Sequence, residues 1–270
     1  MCTKKYKMNN SRASTEVQIS FSVIIPAYNA ETTILRALNS VSAQSYPAHE
    51  IIIVDDASTD HTLDIVDADN SGKFKLITKQ TNTGSSDTRN IGMNVATGNY
   101  IAFLDADDIW HRDKLRLISE ALSSNPDICL FFHPYTQDNI KTIAVPQKLG
   151  VNKFPFVKLL PSNKIATSCA IIKNDASFRF KTSMRYTEDF DLWLKIGYKH
   201  GIYFSPNPLT QIFRPFLSEG GISANKWKMR QGEMRAYTGL AKLNALFILA
   251  LPFLYLLSLS KHVFKAITGK

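Results

Sequence analysis

Short apolar runs alternate along this chain with segments in which apolar residues return every third or fourth position. Ile19 to Pro26, Glu50 to Val54, Phe74 to Thr78, Tyr100 to Leu104 and Ile128 to Phe132 are runs of the first kind. They read as strands, and the least interrupted of them as strands buried on both faces. Glu31 to Gln44, with Ile34, Leu35, Leu38 and Val41 on one side, Thr62 to Asp67, Gly84 to Thr97 and Leu115 to Leu122 read as helices. Strands alternating with helices at this spacing predict right-handed βαβ units and a Rossmann-like, mainly parallel sheet sandwiched by helices. In such sheets ligands gather at the carboxyl ends of the strands, where Tyr28, Asp55 and Asp105 fall.

Beyond residue 132 the rhythm is less regular. His133 to Pro146 reads as an irregular hairpin, Phe154 to Leu160 as a short helix and Ile165 to Ile172 as a strand with small residues between apolar ones. Thr187 to Tyr198 is a clear helix, followed by strand-like Ile202 to Phe204 and Leu209 to Phe213. Leu243 to Leu259 is almost wholly apolar, broken only by Asn244, Pro252 and Ser258. It is shorter than the roughly 20 residues a straight spanning helix needs. With Lys242 before it and Lys261 and Lys265 after, it predicts a helix in a membrane interface or a shallow re-entrant helix around Pro252. The alternative is a helix buried in a homodimer or against the rest of the chain. The resulting division is a polar, disordered basic tail (1–17), a catalytic domain (18–221, split at 108/109 into donor and acceptor halves) and a basic, apolar helical extension (222–270).

Charge sharpens this division. The net charge is +9 over 270 residues. The excess of lysine and arginine sits in residues 1–16 and 222–270, leaving the middle nearly neutral. A nucleic-acid binder would spread its basic residues over the folded face, so nucleic acid is not the expected partner. Basic residues bracketing an apolar segment fit an anionic membrane surface. The three cysteines, Cys2, Cys129 and Cys169, lie far apart without metal-ligand spacing. No apolar stretch precedes Phe21, so no secretory leader is read, and a cytoplasmic location at the inner face of a membrane is expected.

The candidate chemistry lies where the fourth strand ends, in Asp105-Ala106-Asp107-Asp108. Carboxylates this close repel one another, and a hard divalent cation among them relieves the repulsion. Two further pieces precede it in order: Val23-Ile24-Ile25-Pro26-Ala27-Tyr28-Asn29 and Ile53-Val54-Asp55-Asp56-Ala57-Ser58-Thr59-Asp60. With these, the chain closely resembles the family 2 glycosyltransferases of the GT-A fold, which use nucleotide-activated sugars. Gly84 to Gly92 resembles that family's loop before its acidic motif, and Thr187 to Leu194 its acceptor-side Glu-Asp motif. The likeness covers roughly residues 19 to 215.

The resemblance implies a role for each matching residue. Pro26, Ala27 and Tyr28 would border the nucleotide, with Tyr28 against the base and Asp55 accepting its imide N–H, which favours uridine. Asp105 would reach the ribose or a metal-bound water, and Asp107 would hold Mn²⁺ or Mg²⁺ directly. Arg89 could add positive charge to the diphosphate. Asp189, beside the substrate-contacting Glu188, would take the proton of the acceptor hydroxyl in an inverting displacement. Trp110 and Trp193 are candidates to stack on a sugar ring. Asp56 reads as a structural residue and His111 as a surface histidine. The donor would be a UDP-sugar and the acceptor a glycan or lipid-linked hydroxyl, for a surface polysaccharide or lipopolysaccharide.

Two departures stand out. Ala57 replaces a common glycine, and Arg214-Pro215-Phe216 stands where many members carry Arg-x-His, so the metal would have fewer protein ligands. Two other readings stay open on the residues alone. One is a phosphatase of the haloacid dehalogenase type, whose Asp-x-Asp normally follows the first strand. The other is a non-catalytic nucleotide-sugar binding module.

Overall fold

The computed structural model describes residues 18–68, 72, 74–213 and 225–268. The basic tail and the Arg214-Pro215-Phe216 stretch lie outside the described residues. The first half alternates as expected: β1 (Phe21–Ala27), α1 (Ile34–Ser42), β2 (Glu50–Asp55), α2 (Thr62–Ala68), β3 (Phe74–Thr78), α3 (Ser85–Val95) and β4 (Tyr100–Phe103). Then come β5 (Ile109–Trp110), α4 (Lys114–Ser123), β6 (Leu130–Phe132), β7 (Tyr135–Thr136), β8 (Asn152–Phe154) and β9 (Ala170–Lys173). The chain continues with α5 (Glu188–His200), β10 (Ile202–Phe204), β11 (Thr210–Gln211), α6 (Lys226–Ala241) and α7 (Leu246–Thr268).

Among the described residues the main sheet has strand order β3-β2-β1-β4-β9-β6-β10-β8. The β3-β2-β1-β4 half is parallel throughout. β9 runs antiparallel to both β4 and β6, and β8 antiparallel to β10. A small second sheet pairs β11 with β5 and β7. Val23 and Ile25 of β1 join one core cluster with Leu38, Ile53, Leu117 and Ile118. Ile24, between them in sequence, joins the other with Phe103, Ile172, Trp193 and Tyr237. Successive side chains of a strand point to opposite faces, so this split shows helices burying both sides of the sheet.

The second half differs from the pattern in three places. Instead of a hairpin over His133 to Pro146, β7 pairs in parallel with the distant β11 and Ile140–Thr142 forms a 3₁₀ turn. The helix expected over Phe154 to Leu160 is the end of β8, then Pro155, then a 3₁₀ turn at Phe156–Lys158. Proline has no N–H for a longer hydrogen-bonded run, and β8 finds its partner in β10. The strand expected over Ile165 to Ile172 is extended only from Ala170, because Thr167–Cys169 forms a 3₁₀ turn. That turn carries Ser168 in beneath the acidic cluster.

The carboxyl-terminal helices add to the core instead of hanging from it. Ala236, Tyr237 and Leu240 of α6 and Leu254 of α7 join the cluster around Trp193. α7 runs through Pro252 without a break. No helix among the described residues is long and apolar enough to cross a membrane.

Candidate active site

β1 and β2 are parallel in register with Ala27 opposite Asp55, so Tyr28 and Asp55 emerge together at the carboxyl edge of the sheet. Tyr28 is 50% exposed and Asp55 is buried. The Asp55 carboxylate accepts the Ser58 N–H at 2.9 Å and the Ser58 hydroxyl. This closes a turn in which Ala57 takes the left-handed conformation, φ 60°. Asn29 interlocks with it, donating its N–H to Ser58 Oγ at 3.0 Å and accepting the Thr59 N–H at 2.8 Å. Pro26 and Ala27 lie within β1; Ala27 is buried and its carbonyl accepts the Asp56 N–H. Asp56 is a brace: its carboxylate accepts Lys79 Nζ and the N–H groups of Thr83 and Gly84, fixing the loop that opens α3.

The acidic turn leaves β4 beside β1. Asp105 donates its N–H to Ser168 Oγ at 3.0 Å, and its Oδ1 accepts Arg89 Nη2 at 2.7 Å. Asp107 is partly exposed. Its carbonyl accepts Arg36 Nη2 at 2.8 Å, and the Arg36 guanidinium lies 3.8 Å from the centre of the Phe213 ring. Asp108 is buried. Burial, reinforced by the charges of Asp105 and Asp107, pushes its carboxyl up to about 8. Below the turn sits a fully buried ammonium. Lys114 Nζ donates to the Ser168 carbonyl at 2.8 Å and to Thr210 Oγ1 at 3.1 Å, 3.9 Å from the Trp110 ring centre. Burial pushes Lys114 down to about 7.

These residues fit a divalent cation. Asp105 and Asp107 supply carboxylate oxygens two residues apart, the donor type a hard cation takes, with waters and substrate phosphate completing its shell. The charges of Asp105 and Asp107, which add to the effect of burial on Asp108, are what such a cation offsets. Among the described residues no group of three or more His, Cys, Asp or Glu forms an all-protein cage.

The amino end of α5 closes the site. Glu188 is buried, and its Oε1 accepts Ser85 Oγ at 2.8 Å and Arg89 Nη1 at 3.3 Å. Asp189 accepts the Phe190 N–H at Oδ1 (2.7 Å) and Asn163 Nδ2 at Oδ2 (2.7 Å). Burial, then the neighbouring Glu188 charge, pushes the Asp189 carboxyl up to about 7. One buried guanidinium, Arg89, therefore ties the acidic turn to the helix that carries Asp189.

Three expectations need correction. Trp110 and Trp193 are 3% and 0% exposed and stack on no ligand surface. Trp110 donates its indole N–H to the Ser168 carbonyl, and Trp193 packs against Phe103 and Phe180. His111 is buried, not superficial. The structure also brings in residues that the sequence did not single out: Arg36, Lys114, Asn163 and Ser168. Only Ser168 left a trace, as a small residue inside an apolar run.

Residues 22–183 match the family described as Glycosyl transferase family 2. The chain belongs to that family. Its fold is GT-A, and the dehalogenase-type phosphatase reading is set aside. The transferase is 33% identical over 218 residues to UDP-Glc:alpha-D-GlcNAc-diphosphoundecaprenol beta-1,3-glucosyltransferase WfgD of Escherichia coli, covering 77% of this chain and 81% of that one. Among solved structures it resembles S. aureus TarS 1-349 in complex with UDP-GlcNAc, with a TM-score of 0.66 and 21% identity over 83% of this chain and 67% of that one. It also resembles mannosyltransferase PcManGT from Pyrobaculum calidifontis in complex with GDP-Man and Mn2+, with a TM-score of 0.61 and 18% identity over 94% and 76% of the two chains.

Proposed function

We propose that the transferase moves a sugar from a UDP-sugar to a hydroxyl of a lipid-linked glycan acceptor, with inversion, during synthesis of a surface polysaccharide. The observation that carries this reading is Arg89 held between Asp105 and Glu188, which sets the donor-side turn beside the start of the helix that carries Asp189. Tyr28 and the buried Asp55 lie at the nucleotide end, Tyr28 offering a ring face and Asp55 an acceptor for the uracil imide N–H. Asp105 and Asp107 would hold Mn²⁺ or Mg²⁺, whose positive charge would offset the negative charge that develops on the leaving diphosphate.

Asp189 is the base. Its carboxylate takes the proton of the acceptor hydroxyl, the hydroxyl oxygen forms a bond to the anomeric carbon, and the bond from that carbon to the diphosphate breaks, UDP keeping the electron pair. Asn163 and, at 3.5 Å, the Thr167 hydroxyl hold Oδ2, the Phe190 N–H holds Oδ1, and Oδ1 retains a lone pair for the incoming proton. A carboxyl raised to about 7 is well matched to proton abstraction near neutral pH. The similarity to WfgD, a glucosyltransferase named for its alpha-D-GlcNAc-diphosphoundecaprenol acceptor, favours a lipid-linked acceptor. The basic residues bracketing the apolar segment support a location at the cytoplasmic face of a membrane, with the carboxyl-terminal extension as the attachment.

The test is UDP release from a panel of UDP-sugars by purified protein. Release stimulated by Mn²⁺ or Mg²⁺ and lost in Asp107→Ala is the expected result. Metal-independent turnover, or Asp189→Asn transferring sugar at the wild-type rate, counts against it.

A further inference from the structure

The side of α7 turned away from the catalytic domain is apolar. Leu246, Leu249, Phe253 and Leu256 are between 66% and 80% exposed and recur at helical spacing, forming one stripe. The opposite side is fixed in place. Leu254 is buried, Ser258 Oγ donates to the buried Glu233 at 2.7 Å, and the Tyr255 and Thr238 hydroxyls lie 2.7 Å apart. The helix is thus pinned to α6 at several points, and its stripe faces outward.

Where the stripe begins, the catalytic domain joins it. Phe247 meets Tyr198 edge-on at 5.1 Å and Phe156 at 6.3 Å, and Asn244 Nδ2 donates to the Tyr198 hydroxyl at 2.6 Å. Phe156 and Tyr198 in turn line a hollow of about 680 Å³ together with Lys153 and Lys199, and among the described residues no carboxylate lines it. Lys158 and Lys242 are exposed on the same two junctions. An apolar stripe thus runs into a patch of four exposed lysines, with the exposed Asp175 close to His200 of the hollow's lining.

We propose that this composite face docks on an anionic phospholipid bilayer. The stripe enters the acyl boundary, and the hollow between Lys153 and Lys199 takes a headgroup phosphate. The inference rests on the membrane-attached reading above and adds to it contacts made by the catalytic domain itself. Charge favours lipid over a second copy of the chain: a two-fold interface sets the same patch against itself, and here lysines would meet lysines.

The experiment is co-sedimentation of the full chain with vesicles of phosphatidylcholine alone or with a third phosphatidylglycerol. Binding to the anionic vesicles is expected to fall about tenfold or more in the double variant Lys153→Glu, Lys199→Glu, and to vanish in Leu249→Ser, Phe253→Ser. Unchanged thermal melting and UDP-dependent stabilisation would show that both variants fold. Wild-type binding by the lysine variant, with loss in the stripe variant, overturns the headgroup contact and leaves the anchor standing. No binding by the wild type overturns both. A dimer in sedimentation velocity that the stripe variant disperses, without vesicle binding, assigns the stripe to self-association and overturns the proposal. Inorganic phosphate displacing the protein from vesicles at low millimolar concentration would assign the hollow to a free anion and overturn the lipid assignment.

Discussion

Arg89 Nη2 donates to Asp105 Oδ1 at 2.7 Å from a buried position, and Nη1 of the same guanidinium reaches Glu188 at 3.3 Å. A planar fork with donors on both sides can hold two carboxylates from different parts of the chain, whereas an ammonium on a flexible stem is a single point charge. Arg89→Ala leaves the buried Glu188 unpaired. It is expected to cost about 3 kcal/mol of stability in chemical denaturation, toward the low end of buried pairs because Asp105 is partly exposed. Arg89→Lys should recover part of the stability and little of kcat, since one of the two carboxylates loses its partner.

If Asp189 is the base, it sets the pH profile. Its carboxyl is raised to about 7, so below that pH it is protonated and cannot accept the acceptor's proton. kcat/KM should climb through about pH 7 and level off above it. The Glu188 charge is one cause of the rise. Removing it in Glu188→Gln should therefore move the climb to lower pH, in addition to any loss of rate. A climb left in place would mean that Asp189 is not the group titrating.

Gly232 carries α6 across the start of α5. A methyl group there would collide with the Thr187 hydroxyl and come within 2.6 Å of the Tyr186 carbonyl oxygen. Thr187 is itself left-handed, φ 57°, so the turn has little room to give. Gly232→Ala is expected to lose about 1–3 kcal/mol in thermal or urea unfolding. Because the displaced turn precedes Glu188 and Asp189, kcat should fall more than the KM for the nucleotide sugar.

Ala57 is the reverse case. Its φ of 60° is a conformation in which a side chain is strained and glycine is not. Ala57→Gly should stabilise the fold by about 0.5–1 kcal/mol, the relief of strain exceeding the entropy glycine loses on folding. A fall in the melting temperature would mean that the Asp55–Ser58 turn depends on the methyl group.

Asp107 gives a test that does not pass through turnover. If it holds the cation, Mn²⁺ should raise the melting temperature of the wild type in the presence of UDP, and Asp107→Ala should lose that rise while still unfolding cooperatively without metal.

Much of this molecule is written in local pattern. Ile24 between Val23 and Ile25, or Leu38 four residues after Ile34, obeys a period that depends only on backbone geometry, so β1 to β4 and α1 to α5 could be placed within a few residues. The Asp105-Ala106-Asp107 turn was legible for the same reason: it marks where an apolar strand stops. Pro155 and the inward turn at Ser168 were not, because β8 and β9 take their form from partners far along the chain. The tertiary structure alone decided that Arg89 faces two carboxylates, that Trp110 and Trp193 are interior packing, that Lys114 is a buried cation under the acidic turn, and which side of α7 is left bare. Such facts depend on contacts between residues tens of positions apart. Sequence rhythm says which face of an element is apolar, but only the packed chain determines what that face meets.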